Sequence, residues 1–295
     1  MTRRKRVEGF GYNGLMLPEI PSPVTSLVPL SIPIFTLFIA LAVFFYLAVS
    51  VTLNRNRILP AVIFETAVFV LSLAVVGARL GHVGLHWSYF SEHTAEIFQL
   101  RQGGLNWHGA LFGGGVGLLL GSRVPRWRAY LPDHSLVAIS LTFPPFTFAV
   151  WRACRFALCA YGNELDTLLG RPAWLADWSA DIYTRILPRY NTSSMGSLLA
   201  VVMFMVGFIL HRRKVKPGLL LYTQIMLLSA GMWIIGHFRG DPLPILVGQR
   251  ADQWLDWLIF AIAALALLRD TMRLRRAADL EQELEESACQ ISTSS

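Results

Sequence analysis

Apolar residues in this chain fall into seven long runs, with the polar and charged residues gathered between them. The runs cover about residues 32–53, 60–87, 107–121, 135–161, 195–210, 218–238 and 254–268. Most approach the ~20 residues that carry a helix across a bilayer, so each is predicted to be a membrane span. The first is too long for a signal-peptide core, and no small-residue cleavage site follows it. Two interruptions stand out. The second run contains Glu65 and Arg79, and ionisable groups inside such a segment face a bundle interior or an aqueous cavity. The fourth holds Pro144 and Pro145, which predict a kink. Between the fourth and fifth runs, Asn163, Glu164, Asp166, Asp177 and Asp181, with prolines and interfacial aromatics, predict a small extramembrane cap over about residues 163–193. Residues 1–30 read as a polar N-terminal segment and 269–295 as a charged tail forming a short amphipathic or solvated helix.

Composition agrees with that pattern. The 295 residues are 54% hydrophobic and 15% charged, with a mean hydropathy of +0.48. The fold class expected is therefore all-α: a polytopic integral membrane bundle of about seven helices, residues 31–268, with its cap. The net charge of +7 lies in loops between apolar runs, which assigns it to topology and lipid attraction and not to nucleic acid. Odd-numbered runs finish at RNR, RVPRWR, HRRKVK and RLRR, so the N-terminus is expected outside and the C-terminus in the cytoplasm. Only three lysines occur, which leaves anion recognition mainly to arginine. The three cysteines are read as forming no disulfide framework and as having no redox role.

Candidate chemistry centres on residues 101–128, RQGGLNWHGALFGGGVGLLLGSRVPRWR. His108 stands at the threshold of an apolar run, where it can titrate near neutral pH. Gly109, Gly113 and Gly117 recur at helical spacing and admit either a neighbouring helix or an acyl chain. The predicted topology gathers Arg79, His108, Arg152, Arg155, Arg239 and Asp241 on the outer face, where arginines at headgroup depth suit a phospholipid phosphate. Some of these arginines would merely pin helix ends at the interface. Arg79 and Arg152 are flanked by apolar residues on both sides and need a further reason. His82 and His86 share a helix face, but no Cys or carboxylate stands at ligand spacing, so no metal site is expected. A small transporter fits less well, since the ionisable groups crowd one face and do not line a path across the midplane.

The same residues carry a resemblance. GGLNWHGALFGG is similar to the signature helix of the prolipoprotein diacylglyceryl transferase family, and GARLGHV resembles its Gly-Ala-Arg-Leu motif with Glu65 upstream. WRACRFALCAYGNE resembles the family's Gly-Arg segment, and KVKPGLLLYTQIMLLSAGMWIIGHFRGD its late Pro-Gly, Tyr, Arg-Asp helix, followed by Gly248 and Gln253. The resemblance implies a multi-pass enzyme of the bacterial cytoplasmic membrane. It would move the diacylglyceryl group of phosphatidylglycerol to the lipobox cysteine thiol of a preprolipoprotein, releasing glycerol-1-phosphate, with no cofactor. It further implies His108 and Arg152 as catalytic residues, and Arg79, Arg155, Arg239, Gly104, Gly109 and Gly162 as headgroup contacts. His108 would be a base or an orienting group near the thiol, and the arginines would stabilise the departing phosphate. The chain departs from the family pattern at Met232 and Gly236, which stand for an Arg and a Glu, at Ile34 to Thr36, and over Tyr190 to Gly196. Placing Arg152 in the family's arginine position needs a one-residue gap, while the ungapped register puts Trp151 there. A catalytically silent relative that binds lipid or lipoprotein is the alternative these departures leave open.

Overall fold

The computed structural model describes residues 34–100, 104–131, 133–157, 159–181 and 185–293. The predicted segment 1–30, Arg101 and the start of the first run lie outside them. Helices α1 (Ile34–Asn54) and α2 (Pro60–Leu85) come first, followed by the short α3 (Trp87–Phe90) and a 3₁₀ turn (Thr94–Phe98). Next are α4 (Trp107–Gly121) and α5 (Asp133–Phe156), then strands β1 (Ala176–Ala180) and β2 (Ile186–Tyr190). Helices α6 (Thr192–Arg212) and α7 (Pro217–Gly236), strands β3 (Ile245–Leu246) and β4 (Gln249–Arg250), and α8 (Ala251–Thr293) complete the chain.

Among the described residues six helices are long and apolar enough to cross a membrane: α1, α2, α5, α6, α7 and α8 to Arg276. The remaining predicted run, the third, is α4; it has 15 residues, about 22 Å of helix against a hydrocarbon core of ~30 Å. It is a short helix packed along α2, with Phe112 and Leu119 exposed on its other face. Pro144 and Pro145 sit within α5, which continues through them to Phe156. The predicted cap contains an antiparallel hairpin, with Ala176 opposite Tyr190 and Ala180 opposite Ile186. The tail is not a separate short helix, because α8 runs unbroken from the last span to Thr293.

Contacts between helices close a circuit: α4 packs on α2, α2 on α1, α1 on α5, α5 on α6 and α7, α7 on α8, and α8 returns to α4. Two apolar clusters mark its ends. Trp151, Met203, Leu228, Met232 and Ile235 form one, with Trp107 and Ala160 packed against them. Val62, Ile63, Tyr130 and Leu131 form the other, beside Trp127 and Leu118. Side chains such as Phe44, Phe112 and Leu265 project outward from the helices, as lipid-facing positions do.

The cysteine reading is corrected. Cys154 and Cys159 form a disulfide with Cα atoms 4.9 Å apart, possible because α5 ends at Phe156 and the chain folds back over the next residues.

Candidate active site

The first turn of α4 begins the site. Asn106 caps it, its Oδ1 accepting the Gly109 N–H at 3.0 Å. The same oxygen lies 3.1 Å from His108 Nδ1 and so receives that ring's N–H. The other ring nitrogen, Nε2, meets Asp256 Oδ1 at 2.8 Å from across the bundle on α8. Both side chains are buried, at 6% and 4% exposure, so the predicted imidazole lies in the interior and not at an open mouth.

Close backbone approach explains the glycines of α4. A Cβ on Gly109 would lie 2.1 Å from the Gly77 carbonyl oxygen, and one on Gly113 would lie 2.2 Å from that of Leu73. Gly117 is less tightly placed, its Cβ position lying 3.1 Å from the Val70 Cα. Of the two occupants that the spacing admits, the neighbouring helix is the one present. Gly109 therefore packs α2 against α4. Gly104, with φ +76°, sits where a side chain would strike His82 and Arg79.

The predicted arginines divide into committed groups and one uncommitted group. Arg79 is buried and spends its guanidinium on main-chain carbonyls: Nε to Ile97 O at 2.8 Å, Nη1 to Gly104 O at 3.2 Å and Nη2 to Glu96 O at 2.5 Å. It staples the loop that leads into α4. Arg155 pairs with Asp177 at 2.8 Å and reaches Asn191. Arg239 grips Asp241 through Nε and Nη2, at 2.8 and 2.6 Å, and meets Asp252 at 3.2 Å. Arg250 joins the same two carboxylates. Burial pushes the Asp241 carboxyl up, but the charges and hydrogen bonds of Arg239 and Arg250 outweigh it and hold it below the usual carboxylate range. Arg152 is different. It is partly buried near the end of α5 and has no hydrogen-bond or ion-pair partner among the described residues.

Arg152 does not face the core at this turn; Trp151 does, at 5% exposure, in one cluster with Met232. Gly196 makes room for that indole, since a Cβ there would lie 2.1 Å from the Trp151 ring. Gly236 accommodates Gln253, whose amide bonds Trp233 O and His237. The departures over 190–196 also have structural roles: Asn191 caps α6, Ser193 bonds Trp151 O, and Thr192 bonds Ala160 O.

Gly162 and Arg239 are brought together as an antiparallel bridge, with Gly240 N bonded to Tyr161 O and Asn163 N to Phe238 O, both at 2.8 Å. Beside them Tyr161, Asn163, Glu164, Asp181, Arg189 and Gly240 line a polar cavity of about 380 Å³. Glu65 lies at the opposite end, paired with Arg126 at 3.0 Å and bonded by Trp127, so it belongs to the basic cluster that ends α4. The His82 and His86 rings lie 4.3 Å apart at a tilt of 38°, and the described residues hold no cluster of three metal-ligating side chains.

Sequence reasoning missed Asp252, Asp256 and Arg250. Asp256 was legible by the rule applied to Glu65 and Arg79, since it is a carboxylate inside the apolar run WLDWLIF.

Comparisons with known proteins bear on this site. The model of a family described as prolipoprotein diacylglyceryl transferase matches residues 23–269. A phosphatidylglycerol–prolipoprotein diacylglyceryl transferase of Symbiobacterium thermophilum is 30% identical over 259 residues, 85% of this chain and 92% of the relative. Proteins of the same name from Lactococcus lactis subsp. lactis and Ligilactobacillus salivarius are 30% and 27% identical, covering 83% and 81% of this chain and 92% and 89% of their own length.

Proposed function

The chain belongs to the prolipoprotein diacylglyceryl transferase family, and on that premise we propose that it transfers the diacylglyceryl group of phosphatidylglycerol to the lipobox cysteine thiol of a preprolipoprotein. The observation that carries this reading is Arg152, a partly buried guanidinium without a partner among the described residues, next in sequence to the Trp151 cluster against which Trp107, His108's neighbour, is packed. An unpaired cation among membrane helices is costly unless an anion joins it. A phospholipid phosphate is such an anion. In the transfer, the lipobox thiol releases its proton to water, the thiolate sulfur attacks the glycerol carbon, the carbon–oxygen bond to phosphate breaks, and glycerol-1-phosphate departs with the bond's electron pair. Arg152 stabilises the charge growing on the departing phosphate. His108, its ring fixed by Asn106, serves as the orienting group beside the thiol, and Arg155 and Arg239 set the surrounding field from their carboxylate pairs.

The chain is multi-pass in the bacterial inner membrane, with the cap and the end of α5 outward and the C-terminus in the cytoplasm. The Cys154–Cys159 disulfide supports that orientation, because such bonds persist on the oxidising side of the membrane. The basic ends of α4 and α6 lie at the other end of the bundle.

Purified protein given phosphatidylglycerol and a lipobox peptide should form a diacylglyceryl thioether, read by mass spectrometry. Arg152→Ala should lower the rate by about 10²-fold or more. No thioether from wild-type protein that still binds the lipid would sink the reading.

A further inference from the structure

The buried carboxylate of Asp256 has no role in the transfer described above, yet it stands in a span where an apolar residue would be cheaper. Its position supplies the reason. Helix α8 meets α4 over only a short stretch, and at that stretch Asp256 Oδ1 reaches His108 Nε2 at 2.8 Å. One turn earlier on the same helix, Asp252 bonds Arg239 and Arg250. The first turns of α8 thus connect His108 on α4 with Arg239 beyond α7. An imidazole turns about two side-chain torsions, and a single hydrogen bond leaves it able to swing about that contact. Asn106 holds one nitrogen from the ring's own helix and Asp256 holds the other from across the bundle, which fixes both the plane and the direction of the ring.

We propose that Asp256 is a positioning residue for the transfer reaction, acting through His108 and setting that ring in register with Arg239. The inference rests on the proposed function, and the test separates the two. Asp256→Leu keeps the volume roughly and removes the bond; Asp256→Asn keeps a group that can bond Nε2. Thioether formation is measured for both variants in the wild-type and His108→Ala backgrounds. Reaction of His108 with diethyl pyrocarbonate is read in parallel by peptide mass spectrometry.

In the wild-type background Asp256→Leu should lower kcat by about 10- to 100-fold with KM for the lipid little changed. Asp256→Asn should recover most of the loss. On His108→Ala, Asp256→Leu should change kcat by less than about twofold, since residues acting as one unit are not additive. His108 should react several-fold faster with the reagent in Asp256→Leu than in wild type. An equal loss in both backgrounds, or His108 reactivity unmoved by Asp256→Leu, overturns the proposal. Absence of thioether from the wild type overturns the proposed function instead, and the reactivity of His108 then decides alone whether Asp256 holds the ring.

Discussion

Helix α4 is held by two unlike seams. Against α2 it presents Gly109, Gly113 and Gly117, and there the two backbones touch with no side chain between them. Against α8 it presents His108, and the contact is one hydrogen bond between buried polar groups. The first seam is steric and extends along the helix; the second is polar and confined to its first turn. The second depends on the first. A helix of 15 residues cannot anchor itself across the membrane, so the glycine seam sets its depth and tilt, and that placement puts His108 where a residue of α8 can reach it.

The largest effect should come from breaking the steric seam. Gly109→Val or Gly113→Val places carbon within about 2.2 Å of a carbonyl oxygen on α2, and no rotamer relieves a clash made by Cβ itself. The helices must separate, and the His108–Asp256 bond separates with them. The folded, monodisperse protein should be lost from size-exclusion profiles in detergent. Gly115→Ala is the internal control, since its Cβ would meet nothing within 4 Å, and it should run as wild type. A Gly109→Val protein that remains folded and active would show that the seam tolerates opening and that α4 is placed by other contacts.

The two seams were unequally legible in the sequence. The glycine period along 109–117 was visible because helical spacing converts directly into a shared face. Which surface filled that face was not, since a helix and an acyl chain make the same demand. The polar seam joins residues 148 positions apart, and nothing local ties WHG to WLD. Its carboxylate was still open to the rule that singled out Glu65 and Arg79. The arginines were found, but their partners were not: whether a guanidinium is committed, as in Arg79, or uncommitted, as in Arg152, depends on loops that the apolar pattern does not describe. The disulfide was hidden by an element boundary. Had the fourth helix continued to residue 161, Cys154 and Cys159 would stand well over 7 Å apart along it and could not bridge. It stops five residues earlier, and they do.

That disulfide gives the next largest expectation, and it separates the seams. It fixes the chain between the end of α5, which carries Trp151 and Arg152, and the bridge of Gly162 to Arg239, so it supports the polar side alone. Closing so short a loop is worth about 2 kcal/mol in the chain-entropy treatment. Reductant, or Cys154→Ser with Cys159→Ser, should lower the unfolding midpoint and the transfer rate together. Cross-linking between cysteines introduced at the lipid-facing edges of α2 and α4 should be unchanged, and an equal loosening there would mean that the glycine seam depends on the polar side as well.

The smallest effect is electrostatic and belongs to Asp241. Its folded carboxyl is held below the usual carboxylate range by Arg239 and Arg250, against the upward push of burial. A group shifted in that direction adds stability that is fully present above its unfolded value of about 3.9 and is lost as pH falls through the folded value. At pH 7 Asp241→Asn should therefore unfold more easily than wild type by about 1 kcal/mol, since Asp252 still partners both arginines. As pH falls from about 5 towards 3 the difference should shrink, because the wild-type carboxylate takes up the proton that the variant never needed. Thermal unfolding of both proteins at pH 7, 5 and 3 reads this directly. A gap that stays constant over that range would mean that Asp241 stabilises the loops around Arg239 and Arg250 by shape and not by charge. The polar side of the molecule would then share the pH-insensitivity expected of the glycine seam.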